Sequence, residues 1–347
     1  MKHIIFISPT HNIYGGGQVY IEELAKNLLR INNNISVNIF SSDDLMDNSQ
    51  LIPQINTWPK LICNIFTIIR EIKNREETIV ILNDINLSML SILFKISGVR
   101  VVSLLHMDVR NSTLTGIKKT ILVFLRKLLI KLGADIIFHV NVRNLEYLKS
   151  PSESFLGNFY SSPNKEIIPI RLEREKEFDF VFVGRMSSEK DPIRFVLLIK
   201  EYMLTYKKNV NVAMVGGGDL LQKVKDKIVE LNLSSSIKVF DMQSRYNTID
   251  IISKSKLLLI TSKTEGFPTV ILEAASVHVP CLCPNLGSVP YIFNKYNIGG
   301  LYEIDNMLPA MYSLTHGNRV DPKNFEQFLS DFSIDNVSLK FLSLLNL

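Results

Sequence analysis

The chain has 347 residues, enough for two domains, and its 46% hydrophobic and 21% charged content is an ordinary globular balance with ample core material. A net charge of +5 is too mild for a dedicated nucleic-acid binder but suits anionic ligands or an anionic membrane surface. Three cysteines (Cys63, Cys281 and Cys283) are too few and too poorly spaced for a zinc site or a disulfide framework, and the last two read as small core residues on one face of a strand. A reducing cytoplasm fits that usage. The opening MKHIIFISPTHN has a short apolar run ended by Pro9, without a small-residue cleavage site, so it does not read as a signal peptide. No stretch reaches the roughly 18 apolar residues that span a bilayer.

Lys2 to Ser8 is isoleucine-rich, as a buried parallel strand would be. The loop Pro9 to Gly17 ends in Gly15-Gly16-Gly17, and Gln18 to Ile31 follows with an apolar stripe at helical spacing. Strand, glycine loop and helix is an arrangement that lets backbone approach a phosphate closely. It is neither a complete dinucleotide fingerprint nor a P-loop, and three glycines fit a tight surface turn equally well. Further strands are expected at Ile35 to Phe40, Thr78 to Leu82, Val99 to Leu105 and Ala134 to Val140, with helices at Leu61 to Lys73 and Ser88 to Ser97. This alternation predicts a doubly wound parallel sheet. His106 follows the strand Val99 to Leu105, at the strand end where open α/β sheets bind ligands, although a lone histidine there also fits a structural role. Residues 116–132 interleave Lys118, Lys119, Arg126, Lys127 and Lys131 with leucine, isoleucine and phenylalanine. The segment reads either as a solvated helix face or as a basic amphipathic helix for an anionic membrane, where each basic residue contributes on the order of 1 kcal/mol. Ser150 to Lys165 is rich in serine, proline and asparagine and reads as the domain linker.

The pattern then restarts. Phe178 to Val183 is expected as a strand, followed by Gly184-Arg185-Met186 and Glu189-Lys190-Asp191-Pro192. A helix from Ile193 to Tyr206 is followed by a strand to Val215, Gly216-Gly217-Gly218, and a helix from Leu220 to Leu231. Ile237 to Phe240 is the next strand, with a short helix around Ile249 to Ser253. A strand at Leu257 to Ile260 leads into a loop with Glu265, Gly266, Phe267 and Pro268, then an apolar helix containing Glu273. Pro268 suits that helix's first turn. Glu273 is flanked by Ile271, Leu272, Ala274 and Ala275, and a carboxylate so placed needs a polar partner. One stretch thus carries two carboxylates with seven residues between them and a helix start that suits an anion. After a strand at Val279 to Cys283, helical segments are expected to the end.

The pattern Glu265-Gly266-Phe267-Pro268 … Leu272-Glu273-Ala274 resembles the E-x7-E signature of retaining glycosyltransferases of family 4. Val183-Gly184-Arg185-Met186 with Glu189-Lys190 resembles that family's diphosphate-binding loop, Gly15-Gly16-Gly17 its N-terminal glycine loop, and His106 its histidine after a central strand. The resemblance runs the length of the chain and is densest from Phe178 to Pro290. It implies the GT-B fold: two Rossmann-like, doubly wound α/β domains facing across a cleft. The expected division is an acceptor-binding domain over 1–160, a nucleotide-sugar domain over 165–330, and a C-terminal helix over 331–347 packing back on the first domain.

The same resemblance implies transfer of a sugar, with retention, from a nucleoside-diphosphate sugar to a glycan or lipid-linked glycan, without cofactor or metal. Such a protein would be cytoplasmic, with 116–132 as a candidate peripheral contact to the inner membrane, and would not bind nucleic acid. Arg185 and Lys190 would neutralise the leaving diphosphate, as fixed cations must where no Mg²⁺ serves. Gly15, Gly16, Gly17, Gly184, Gly266, Phe267, Pro268, Thr269 and Val270 would line the donor site. Glu273 would hold the ribose, Glu265 would face the reacting sugar, and His106 would meet a sugar hydroxyl and help with proton handling. The chain departs from the family pattern at several positions, among them Phe159, which follows Asn158 in place of the usual glycine. His278 stands where a glycine is usual, Gly287-Ser288 with Tyr291 replaces a Gly-Gly-x-x-Glu loop, and Asp241 replaces another glycine. A sugar-nucleotide epimerase and a non-catalytic partner subunit are the rival readings, the latter opposed by the presence of both glutamates and both basic residues.

Overall fold

A computed structural model describes residues 1–8, 16–41, 49–51, 58–112, 114–161, 168–303, 306–317 and 320–347. The chain divides into two units, Met1–Asn158 with Ile334–Leu347, and Phe159–Ser333.

In the first unit the strands are β1 (Lys2–Ile7), β2 (Ile35–Ser41), β3 (Ser49–Leu51), β4 (Thr78–Leu82), β5 (Arg100–Leu105), β6 (Ile136–His139) and β7 (Glu153–Phe155). They form one parallel sheet in the order β3-β2-β1-β4-β5-β6-β7. Its helices are α1 (Gly16–Ile31), α2 (Trp58–Glu71), α3 (Ile85–Ser88), α4 (Ser91–Ile96), α5 (Gly116–Gly133) and α6 (Arg143–Leu148). The central strands are buried on both faces, which is why β4 reads as the unbroken apolar run TIVIL. Order reverses between β1 and β4, the topological switch point at which such sheets bind ligands.

The second unit repeats the plan with β8 (Phe178–Val183), β9 (Val212–Val215), β10 (Ile237–Phe240), β11 (Ser255–Leu259), β12 (Cys281–Pro284) and β13 (Gly299–Tyr302), ordered β10-β9-β8-β11-β12-β13, all parallel. Helices α7 (Pro192–Tyr206), α8 (Leu221–Glu230), α9 (Arg245–Ser253), α10 (Thr269–Ala275), α11 (Val289–Tyr296), α12 (Met307–His316) and α13 (Pro322–Asp331) flank it. Phe180, Phe182, Phe195, Leu198 and Tyr202 pack β8 against α7 in its core. Cys281 and Cys283 are both buried, as strand residues on the core side should be.

The last helix, α14 (Ile334–Leu345), belongs to the first unit. Phe341 lies against Phe6 of β1 and Phe138 of β6, with ring centroids 6.2 and 5.2 Å away. Asn27 of α1 donates to Asp335 and Ser338, and Arg100 to the Leu345 carbonyl.

Several expectations need correction. The segment expected as linker, 150–165, contains β7, whose Glu153 accepts from the backbone of Ser150 and pairs with buried His139 at 3.1 Å. The turn chemistry of Ser150 and Pro151 hid a three-residue edge strand. Similarly, Gly299–Tyr302 was expected to be helical but is β13, where Gly299 sits tightly against the Cys281 carbonyl. The helix expected at Ser88 to Ser97 is two short ones, the first capped by Asp84. Finally, α5 does not present all its basic residues to solvent. Arg126 is buried and donates to the carbonyls of Val109 and Asn111 and to Asn86. Lys127 donates to the Tyr147 carbonyl and lies over that ring. A guanidinium can satisfy several acceptors from one buried position, so the helical pattern alone could not tell its inward from its outward cations. What α5 exposes mixes apolar side chains (Ile117, Ile121, Phe124, Leu125, Leu128 and Leu132) with Lys118, Lys119 and Lys131.

Candidate functional site

In the second unit the loops after β8 and β11 lie side by side, since those strands are neighbours. A pocket of about 170 Å³ forms there, lined among others by Gly184, Lys190, Glu265, Pro268, Thr269, Val270 and Glu273. Seven residues expected to bind the donor therefore meet in one place. The volume is below the 300–1,000 Å³ of pockets that enclose a whole ligand, so there is room here for a fragment the size of a phosphate or a sugar ring.

Local chemistry fixes the loops. Asp191 adopts a left-handed backbone (φ +48°), its side chain caps α7 through Arg194 N at 3.3 Å, and Pro192 sets the first turn. Thr261 Oγ1 donates toward the carbonyls of Lys190 and Asp191, at 3.1 and 3.0 Å, and Lys263 N donates to the Glu189 carbonyl. These bonds hold Lys190 beside the carboxylate loop. Lys190 Nζ lies 2.7 Å from Glu265 Oε1, and Ser262 Oγ donates to the same oxygen at 2.6 Å. The Glu265 side chain is 9% exposed, so its charge is balanced by one cation and one hydroxyl.

Glu273 has the partner its apolar flanks require. Arg245 Nε donates to Glu273 Oε1 at 2.9 Å, and the same guanidinium reaches Ser161 Oγ at 3.2 Å and lies 5.5 Å from the Tyr160 ring centre. Burial pushes the Glu273 carboxyl above the usual glutamate range, and Arg245 opposes that rise. Arg245 was missed because helix α9 was expected only from Ile249; its real start is the Ser244 cap, which accepts from Asn247 N. The Ser-x-x-Asn spacing before an apolar run was the available signal.

Other expected residues fall elsewhere. Arg185 is exposed at the pocket's edge and has no hydrogen-bond or ion-pair partner among the described residues. It is held by a pair of interlocked loops: Met186 N donates to the Gly217 carbonyl and Leu220 N to the Met186 carbonyl. A Cβ on Gly216 would lie 2.0 Å from the Gly184 carbonyl oxygen, so glycine there lets the loops touch. The Phe267 side chain is not among those that line the pocket. It is buried against Phe328 and Phe332, because an aromatic ring next to the loop gains more from that cluster than from solvent. Pro268 is the cap residue of α10 rather than part of its first turn, and α10 is only seven residues long, about two turns. Gly266 supports the loop: its carbonyl accepts from Ser288 N at 2.7 Å. At Gly287 (φ +53°) a Cβ would lie 2.2 Å from that carbonyl oxygen, so the Gly287-Ser288 variant still clamps the Glu265 loop. His278 holds the left-handed turn after α10 at φ +54° and stacks on Phe325, as histidine at a glycine position must.

In the first unit, Gly17 and His106 come together. His106 Nε2 is 2.7 Å from Asn83 Oδ1, the Tyr20 ring meets it edge-on at 4.9 Å, and the Cβ direction of Gly17 points at the imidazole. Desolvation pushes the imidazole down to about 4. Gly16 opens α1, whereas Gly15 lies outside the described residues. Among the described residues no cluster of three or more His, Cys, Asp or Glu could hold a metal ion, and no helix is long and apolar enough to cross a membrane.

Residues 163–307 match the family model described as glycosyl transferases group 1. An uncharacterized glycosyltransferase of Methanocaldococcus jannaschii is 24% identical over 280 residues, 70% of this chain and 68% of that protein. The UDP-Gal:alpha-D-GlcNAc-diphosphoundecaprenol alpha-1,3-galactosyltransferase of Escherichia coli is 27% identical over 172 residues, 48% of this chain and 44% of the enzyme. Among solved structures, the apo lipopolysaccharide outer core galactosyltransferase WaaB aligns with a TM-score of 0.76 at 19% identity over 99% of each chain. The fold is that of GT-B glycosyltransferases, and the matches support a glycosyltransferase of that superfamily.

Proposed function

We propose that the chain is a retaining, metal-independent glycosyltransferase of family 4. It moves a sugar from a nucleoside-diphosphate sugar to a glycan or lipid-linked glycan, in bacterial surface-polysaccharide assembly. One observation carries the reading: Lys190 and Glu265, from two neighbouring strand-to-helix loops, and Glu273 of α10 line a single pocket. The leaving diphosphate gains charge as the sugar–oxygen bond breaks, and fixed cations lower that barrier most when they are already in place. Lys190 is in place, and Arg185, without a partner among the described residues, is available to fork onto phosphate oxygens. On binding, the diphosphate takes Lys190 from Glu265. Glu265 then turns its accepting oxygens to sugar hydroxyls and to positive charge developing at the anomeric carbon. Glu273, oriented by Arg245, accepts from the ribose. No side chain is assigned as a covalent nucleophile; the leaving phosphate helps deprotonate the acceptor on the same face. The E. coli relative's diphosphoundecaprenol-linked substrate is the kind of acceptor this reading assigns.

The test is incubation with a panel of nucleotide sugars and polyprenyl-diphosphate glycans, with and without EDTA, following nucleoside diphosphate release and the anomeric configuration of the product. No turnover, no hydrolysis and no nucleotide binding across the panel would sink the assignment, and an inverted product would remove the retaining mechanism.

We further propose peripheral attachment of α5 to an anionic membrane. Exposed Ile117, Ile121 and Phe124 enter the interface while Lys118 and Lys119 meet headgroups. Sedimentation with phosphatidylglycerol-containing vesicles should fall when Ile121 and Phe124 are both replaced by serine; unchanged partitioning would refute it.

A further inference from the structure

At the carboxyl ends of β1, β4 and β5, Ser8, Asn83 and His106 form a short polar chain inside the first unit. Asn83 is buried. Its Nδ2 donates to the Gly17 carbonyl at 3.2 Å and reaches Ser8 Oγ at 3.3 Å, and its Oδ1 faces His106 Nε2 at 2.7 Å. A backbone carbonyl oxygen only accepts, so the amide group must turn its NH₂ toward Gly17. The reverse orientation would set two oxygens against each other and leave the amide with no acceptor on that side. The network therefore decides the amide orientation, and with it the histidine tautomer. An accepting Oδ1 opposite Nε2 requires the proton on Nε2. The lone pair then stands on Nδ1, which has no partner among the described residues. Tyr20, edge-on at 81°, and the Tyr20 hydroxyl donating to the Gly157 carbonyl at 3.2 Å keep the ring plane from swinging.

We propose that Asn83 is a positioning residue that locks His106 in the Nε2–H tautomer, making Nδ1 a fixed acceptor for one hydroxyl of the donor sugar. The proposal rests on the reading of His106 as a sugar contact. Desolvation keeps the imidazole neutral at pH 7, so the hydroxyl meets the uncharged ring. It also sets a specificity: a donor lacking that hydroxyl leaves a half-buried acceptor unpaired, and is rejected by more than the loss of a solvent-exposed contact would give.

The tautomer can be read without substrate. Long-range ¹H–¹⁵N spectra of the full chain, with all six histidines labelled, would be recorded at pH 7, and the His106 signals identified by their loss in His106→Gln. The expected result is the Nε2–H form in the wild type and a tautomer mixture in Asn83→Ala. With the preferred donor, kcat/KM of Asn83→Ala should fall by roughly 10-fold or more, in line with one misplaced hydrogen bond, while its melting temperature keeps it folded in the assay. An Nδ1–H or doubly protonated His106 in the wild type would overturn the proposal. So would an unchanged tautomer or unchanged kcat/KM in Asn83→Ala. Absence of turnover with every donor would instead defeat the transferase reading, and the wild-type tautomer would still decide the Asn83–His106 geometry.

Discussion

Replacing Arg245 by methionine keeps an apolar stem and deletes the charge that faces Glu273. Glu273's side chain is 13% exposed and that of Arg245 34%. A fully exposed pair contributes up to about 1 kcal/mol, and a fully buried charge left without its partner costs about 3–5 kcal/mol. This pair lies between those limits, at about 2 kcal/mol. The penalty depends on pH, with a sign set by burial. Burial already raises the Glu273 carboxyl above its unfolded value, and removing Arg245 raises it further. The folded state then holds the extra proton, so stability is lost as pH rises from the ordinary glutamate range through the raised folded value. At low pH the carboxyl is neutral in both proteins and little is lost. The second unit spans Phe159–Ser333, a size at which 1 kcal/mol moves Tm by roughly 2–4 °C. The deficit of Arg245→Met, measured by calorimetry, should therefore be about 4–8 °C larger at pH 8 than at pH 5. The lost Ser161 bond and Tyr160 contact add a part that does not change with pH. An equal deficit at both pH values would refute the claim that Arg245 acts by charge on Glu273.

Further expectations concern the loops. Lys190→Ala should lower kcat by roughly 10²-fold or more, with nucleoside diphosphate release as the readout, because it removes the pocket's resident cation. In Gly17→Ala the new Cβ meets His106 and Asn83 at ordinary contact distances of 3.7–3.8 Å. Its Tm should stay within a few degrees of wild type while donor affinity, measured by calorimetric titration, drops, as expected if glycine is there for the ligand. Gly287→Ala combines a left-handed backbone with a Cβ 2.2 Å from the Gly266 carbonyl, so it should lose roughly 1–2 kcal/mol or more in urea unfolding and raise donor KM. His278→Gly relieves φ strain but loses the Phe325 stack, and should change stability by less than about 1 kcal/mol.

The strands were legible where a mostly apolar run marked them, as in Thr78–Leu82, buried throughout, and Phe178–Val183, interrupted by Asp179; both match their expected bounds. β7 and β13 were not, because three or four edge residues beside serine, proline or glycine carry too little periodicity. The donor residues were legible as a spaced pattern, and Glu273's need for a partner followed from its neighbours. The identity of the partner did not, since Arg245 lies 28 residues upstream and reaches it only through the fold. Phe267 shows the limit of carrying a motif over whole: its neighbours line the pocket, yet the ring belongs to the aromatic core. In α5, helical spacing predicted a basic face, but Arg126 turns inward to three oxygens and leaves isoleucine and phenylalanine outside.

The return of α14 to the first sheet sets an order of assembly. The second unit is one uninterrupted stretch and can fold as soon as Ser333 has left the ribosome. The first unit, although synthesised first, lacks the ring that fills the space between Phe6 and Phe138 until Phe341 arrives. During synthesis its sheet therefore waits with an apolar face open for most of the chain's length, and holding chaperones would have their longest access to the half made earliest.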